Sequence, residues 1–197
     1  MMQELLPAGG YIRKLWPNET ATYRDHLLRL DAESRRARFG GAVSNEFIGD
    51  YVNVSLSLDE VVHGFFVNGT LRGAAELRAI RSDRDADAEA AFSIEKPWQD
   101  HGVGSALLAH TLLAARNRGI RRLHMICLAE NRRMQQLARK FEAELTFEYG
   151  SVVGEVEAPY PTPTSVLREV FADSAGFATA MLDVQSRMLR GRKPEPA

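Results

Sequence analysis

The chain has 197 residues, of which 45% are hydrophobic and 26% charged, enough to bury a sizeable core in one domain with an appendage. Its 25 Lys and Arg balance 26 Asp and Glu to a net charge of -1, so nothing in the balance attracts a polyanion, and no nucleic-acid partner is expected. No apolar run approaches the roughly 20 residues of a membrane span, and the start Met1-Met2-Gln3-Glu4 lacks a basic lead into a hydrophobic segment, so no membrane is expected and a cytoplasmic setting is.

Tyr11 to Leu15 reads as a short strand closed by Trp16-Pro17-Asn18. A helix is expected from Thr20 or Thr22, with Tyr23, Leu27 and Leu30 at helical spacing, Arg35, Arg36 and Arg38 near its end and Gly40-Gly41 as its stop. The three arginines suit a helix C-terminus; recruitment of an acidic or phosphorylated partner is the alternative. Ser44-Asn45-Glu46 can cap a second short helix through Phe47, Ile48 and Tyr51. Val61 to Val67 and Thr70 to Ile80 then read as two strands joined at Asn68-Gly69, the strongest two-residue signal for a type I′ hairpin. Arg81 to Asp87 is a charged, solvated loop, and Ala88 to Glu95 a fourth strand that leads through Pro97-Trp98 into a glycine-containing loop.

That loop, Gln99-Asp100-His101-Gly102-Val103-Gly104-Ser105, joins a strand to an apolar helix running from about Val103 to Arg118 and ending at Gly119. Glycines at such a junction let backbone N–H groups converge on an anion at the helix N-terminus, where the dipole adds to the attraction. A P-loop is excluded, because Ser105 and Ala106 stand where Lys and Ser or Thr are needed. A dinucleotide fingerprint fails at Leu107, where a third small residue would be required. Arg121 to Leu128 is a fifth strand. Asn131 stands at the N-cap of a helix bearing Met134, Leu137, Ala138 and Phe141 at i, i+3, i+4 and i+7, and Thr146 to Tyr149 with Val152 to Glu157 close the sheet.

Beyond Pro159, Pro161 and Pro163, a helix capped by Thr164 or Ser165 carries Leu167, Val170, Ser174, Phe177, Met181, Val184 and Met188 at alternating spacings of three and four, with Gly176 as a weak point. Use at a homodimer interface or as a cover on the sheet is expected, with fraying from Gly191. The organisation is thus a domain over 1–159 and a helical extension over 160–197. Cys127, the single cysteine, lies in the fifth strand and excludes an intramolecular disulfide; the five histidines show no metal-ligand spacing, so no metal is expected.

The Gln-x-x-Gly-x-Gly loop, the Glu-containing strand before it, and the strand followed by Asn131 to Phe141 together resemble the acetyl-coenzyme A core of the GNAT N-acetyltransferase superfamily over about Val61 to Val156. The resemblance implies an α/β (α+β) fold: a mixed, mostly antiparallel central sheet flanked by helices, here with an extra C-terminal helix. It also implies acetyl transfer from acetyl-CoA to a primary amine, on a small molecule or a protein lysine, by direct attack on the thioester. In its terms the backbone of Gln99, His101, Gly102, Val103, Gly104 and Ser105 cradles the pyrophosphate. Phe92, Ser93 and Ile94 run beside the pantetheine arm, where the fourth and fifth strands splay apart. Asn131 reaches the cofactor as well as capping its helix, and Phe47, Tyr51 and the preceding arginines are where an acceptor would be met.

A neutral attacking amine benefits from a base. Glu89 and Glu76 are the candidates, with pairing to an arginine such as Arg78 or Arg121 as the alternative role for each; Glu95 and His101 are lesser ones. Many superfamily members carry a tyrosine general acid seven residues beyond the asparagine, where this chain has Ala138, and the helix ends in Glu142-Ala143 in place of Gly-Phe. The alternative reading that follows is a catalytically degenerate module that senses or holds acyl-CoA.

Overall fold

In the computed structural model, residues 6–56, 60–80 and 86–190 are described, the last four of these by backbone alone. Most of the charged loop at 81–87, and the segment from Gly191 onward, lie outside the described residues.

Seven strands form one sheet. They are β1 (Gly10–Lys14), β2 (Val61–Val67), β3 (Thr70–Ile80), β4 (Asp87–Ile94), β5 (Arg122–Leu128), β6 (Glu144–Glu148) and β7 (Ser151–Glu157), in the order β1-β2-β3-β4-β5-β7-β6. Every pairing is antiparallel except β4 with β5. The β2–β3 turn has positive φ at both Asn68 (48°) and Gly69 (70°), the backbone that a type I′ hairpin requires.

Three helices lie on one face: α1 (Thr20–Arg29), α2 (Ala32–Phe39) and α3 (Asn45–Ser55). The single helix expected from Thr20 to Arg38 is in fact two. Leu30 turns extended (ψ 132°), and Asp31 starts the next helix by accepting the Ser34 N–H at 3.0 Å. An aspartate in mid-pattern is better satisfied as a cap than in a helix interior. Gly40, in the left-handed conformation (φ 73°), stops α2 as expected. Ser44 caps α3 by accepting from Phe47 N–H at 3.0 Å, and that helix is longer than its short sequence signal suggested.

On the opposite face lie α4 (Val103–Asn117) and α5 (Arg132–Lys140). Strand alternation divides the sheet between the two layers. Ala74 packs with Tyr23, Leu27, Ile48 and Val52, whereas Leu77, Ala88 and Ala90 pack with Leu108, Ala115 and Ala138. Leu107 and Leu108 of α4 are fully buried, each contributing about 1.5–3 kcal/mol of transfer free energy.

The long α6 (Pro163–Arg190) packs on β1 and α4. Its cap is Thr162, not Thr164 or Ser165. Thr162 Oγ1 accepts from Ser165 N–H at 3.1 Å, while Ser165 Oγ accepts from Thr162 N–H at 2.9 Å. Gly176 is the point of closest approach to the sheet: a Cβ there would stand 2.4 Å from the Ile12 carbonyl oxygen. The residue that looked like a weak point in a heptad is the one that admits the β1 edge.

Candidate active site

The sheet opens between β4 and β5. They pair over three positions only, Asp87 with Arg122, Ala88 with Leu123 and Glu89 with His124, and diverge beyond them. Each strand is held on its other side, β4 by β3 over its whole length and β5 by β7, so the two halves of the sheet follow separate partners. Asp87 ties the vertex, accepting from Arg122 at 2.9 and 3.0 Å and lying 3.1 Å from His124 Nε2. The Arg122 hydrogen bonds hold the Asp87 carboxyl below its ordinary pKa. The expected splay is therefore present, with the backbone of 90–94 freed from β5.

The glycine loop lies at the end of β4. Asp100 (φ 60°) and Gly102 (φ 78°) both take left-handed conformations, and Gly102 is the N-cap of α4 without a side chain to cap it. Among the described residues, none of the N–H groups of His101, Gly102, Val103, Gly104 and Ser105 has a protein acceptor. Five unpaired donors at the N-terminus of a 15-residue helix fit a phosphate. The expectation that Gly104 also needs a special backbone is corrected. Its φ is not positive, and a Cβ there would meet only Ile94 and Leu137 at 3.5 Å, because it already lies inside the helix. Lys140, on α5, brings its ammonium 3.2 Å from Ser105 Oγ and adds a positive charge that sequence reasoning missed. The His101 ring donates from Nδ1 to the Gln99 carbonyl oxygen at 2.5 Å on the exposed side of the loop.

Gln99 points the other way. Its Nε2 donates to the Ile94 carbonyl oxygen at 2.8 Å and to Ser34 Oγ at 3.1 Å, pinning the loop to the end of β4 and to α2. Asn131 Oδ1 accepts from Met134 N–H at 3.1 Å, so the cap uses its oxygen and leaves the amide NH₂ as a donor at the mouth of the splay. Phe92 lies on the α4 face between two core clusters. Ala138, the position of the missing phenol, is buried on the face of α5 that packs against β7. A Cβ placed on Gly154 of β7 would be 3.3 Å from its Cβ, so helix and strand are too close there for an aromatic ring.

Beside the vertex, on the α1–α3 face, lies a cleft of about 310 Å³ lined by Arg38, Tyr51, Glu76, Arg78, Glu89 and Cys127 among others. Both candidate carboxylates border it, but their surroundings differ. Glu76 is 3% exposed and is the hub of a network. It accepts from the Tyr23 hydroxyl, from Tyr51 Oη at 2.5 Å and from Arg38 at 2.9 Å, with Arg78 at 3.7 Å. Burial raises the Tyr23 pKa, and the Glu76 charge raises it further; Tyr51 moves the same way, first through burial. Burial opposes the charge of Arg38, but Glu76, Tyr23 and Tyr51 outweigh it and hold the guanidinium pKa above its ordinary value.

Glu89, half-buried, has no hydrogen-bond or ion-pair partner among the described residues. Arg78 lies opposite it in the β3–β4 register but sends its Nε to Glu60 at 2.9 Å, and Arg121 goes to the Tyr160 hydroxyl at 2.6 Å. Cys127 is buried, and desolvation pushes its thiol pKa up.

Ser93 faces away from α4. Its Oγ is 2.9 Å from Nε2 of the fully buried His26, whose Nδ1 is 3.3 Å from Glu95. Glu95 is further bound by Arg29 at 2.9 Å and Arg72 at 2.8 Å. Burial would raise the Glu95 pKa, yet His26 and the two arginines bring it below its usual value; burial likewise lowers that of His26. Glu95 is thus fully engaged in tying α1 to the end of β4. Arg38 is among the arginines expected to meet an acceptor, Tyr23 was expected only as part of the apolar stripe of α1, and His26 was not singled out by sequence. The available signal was polar residues interrupting the apolar stripe of α1, three residues apart.

The model of the Acetyltransferase (GNAT) family matches residues 15–142. No curated protein matches the sequence. Among solved structures, the GNAT domain of S. lividans PAT superposes with a TM-score of 0.64 at 24% identity, over 74% of this chain and 89% of that one. Salmonella typhimurium yncA, solved with its cofactor acetyl-CoA, gives 0.58 at 16% identity over 78% and 96%. An N-acetyltransferase from Staphylococcus aureus Mu50 gives 0.58 at 17% over 77% and 100%. At these identities the likenesses establish the fold.

Proposed function

The chain belongs to the Acetyltransferase (GNAT) family, enzymes that use acetyl-CoA, and on that premise we propose that it acetylates a primary amine by direct attack on the thioester, with Glu89 as the base. The observation that carries this reading is the conjunction of a splayed β4–β5 vertex, five N–H donors at its loop end and a carboxylate in the cleft beside it, all without a partner among the described residues. Acetyl-CoA, when bound, supplies an activated carbonyl and a thiolate leaving group.

This chain's residues do the rest. His101 to Ser105 hold the pyrophosphate through backbone N–H groups, with Lys140 adding charge, and Phe92, Ser93 and Ile94 run along the pantetheine arm. The Asn131 NH₂ donates to the cofactor from the facing helix. Glu89, without a partner among the described residues, takes the proton from the amine. Glu76, whose oxygens are already engaged by two tyrosines and an arginine, acts as a positioning residue that shapes the cleft through Arg38 and Tyr51. Ala138 does not by itself favour a non-catalytic sensor, since water can protonate the weakly basic thiolate.

The test is calorimetric titration with acetyl-CoA together with a thiol-release assay over a panel of amines. Native chain is expected to bind acetyl-CoA, and Gly102→Glu to lose that binding while remaining folded. Glu89→Gln is expected to keep the cofactor Kd and lose about 10²–10⁴ in kcat. A folded native chain that binds no acetyl-CoA, or a Glu89→Gln variant at full rate, refutes the assignment.

A further inference from the structure

The packing of α6 is inside out. Its inward side is small and polar: Ser165 is buried against Asn117, Glu169 bonds Asn117 and Arg118 at 2.6 and 2.8 Å, Gly176 meets the β1 backbone, and Ala180 touches the core beside Tyr11. Its apolar side faces out. Leu167, Val170, Phe171, Phe177, Met181 and Leu182 are between 48% and 69% exposed, with Val166 at 46% continuing the same surface. At 100° per residue these positions, with Ser174, Ala178 and Gln185, fill a stripe roughly 160° wide and about 30 Å long. The charged residues of α6 up to Ser186, namely Arg168, Glu169, Asp173 and Asp183, all fall on the other half.

We infer that α6 is the interface at which two copies of this chain pair, stripe against stripe about a two-fold axis. Three observations select a second copy as the occupant. A two-fold contact sets a surface against itself, so any charge on it would meet its own like; this stripe carries none. From the exposed fractions of its seven large side chains, each copy presents on the order of 700 Å², so a pair has up to about 1,400 Å² of apolar surface to remove, within reach of the range of about 1,200–2,000 Å² typical of stable protein pairs. Leu167, Val170, Ser174, Phe177, Met181 and Val184 repeat at the three-and-four spacing by which one helix packs on another.

The small Ser174 sits midway between Val166 and Leu182, and Ala178 lies one turn beyond it on the same stripe. Bulky residues flank this waist on both sides, so two antiparallel helices approach most closely there. The helix that carries the stripe packs by its other side on β1 and α4, whereas the cleft lies at the β4–β5 vertex, so pairing leaves each cleft open.

Sedimentation of the full chain tests this. The native protein is expected at twice the 22.0 kDa of one chain, and a Val170→Glu/Phe177→Glu variant at 22.0 kDa with an unchanged circular dichroism spectrum. Should that variant fail to fold, oxidation of Ser174→Cys is the second measurement. It is expected to yield a covalent pair, while Thr164→Cys, at the exposed start of the helix, yields none. A native chain that sediments as a monomer at tens of micromolar overturns the inference. So does a charged variant that stays dimeric, or a dimer in which Ser174→Cys does not cross-link. A monomeric native chain that floats with phosphatidylcholine–phosphatidylserine vesicles would assign the stripe to a lipid surface instead.

Discussion

Replacing Arg38 by methionine keeps much of the side-chain volume but removes the cation from a carboxylate that is 3% exposed. Arg38 is itself nearly buried, at 7%, and its guanidinium is 2.9 Å from Glu76. Breaking a buried pair from one side costs about 3–5 kcal/mol, because the remaining charge is left in a poor solvent. Here Tyr23 and Tyr51 still donate to Glu76, and Arg78 stands at 3.7 Å, so the lower end, about 3 kcal/mol, is expected. For a chain of this size that is a fall in Tm of roughly 6–12 °C. Urea unfolding at neutral pH is the assay, with Arg36→Met as control. Arg36 pairs with Glu130 at 2.7 Å while both are more than half exposed, so its loss should stay within about 1 kcal/mol. The double variant Arg38→Met/Glu76→Met should recover part of the deficit, since no charge is then stranded. A loss under about 1 kcal/mol for Arg38→Met, or a double variant worse than the sum of its singles, would refute the account of Glu76 as a buried charge held by its partners.

Acid should weaken the fold through His63, which is 2% exposed, has an unpaired Nδ1 and lies 5.5 Å from the His110 ring. Burial, then His110, pushes its pKa down to about 3. With the folded value below the unfolded one of about 6.5, its contribution is intact above pH 6.5 and is lost as pH falls toward 3, by about 1.4 kcal/mol per unit. Urea melts at pH 7 and pH 5 should therefore differ by about 2 kcal/mol more in the native chain than in His63→Leu. Gly102→Ala, at φ 78°, should cost about 1–2 kcal/mol in thermal unfolding. Gly104→Ala should cost nothing in the same melt but raise the Kd for acetyl-CoA, measured by calorimetry, because its Cβ would stand between Ile94 of β4 and Leu137 of α5 and narrow the gap beside the loop without backbone strain. Gly176→Ala should lose about 1–3 kcal/mol in urea unfolding, since α6 must lift from the Ile12 carbonyl to admit the methyl group.

Local chemistry alone determined a good deal of this molecule. Asn68-Gly69 sets its hairpin, Ser44 and Asn131 cap their helices, Gly40 stops α2, and the Gln99 to Ser105 loop leads into α4, because each feature depends on residues within a turn or two. Asp31 belongs to the same class: its capping role was present in the sequence but hidden inside an apolar periodicity that runs through it. What the tertiary structure decided is which groups meet. Arg38 and Arg36 are alike in the sequence, yet one points under the sheet to Glu76 and the other into solvent toward Glu130. Glu76 and Glu89 both sit in strands, but only the packing of α1, α2 and α3 on β3 fills the first carboxylate's bonds and leaves the second open to the cleft. The apolar spacing of α6 was legible, its direction was not. A helix buries whichever face its neighbours can accept, and here the β1 backbone accepts the glycine and turns the phenylalanines outward.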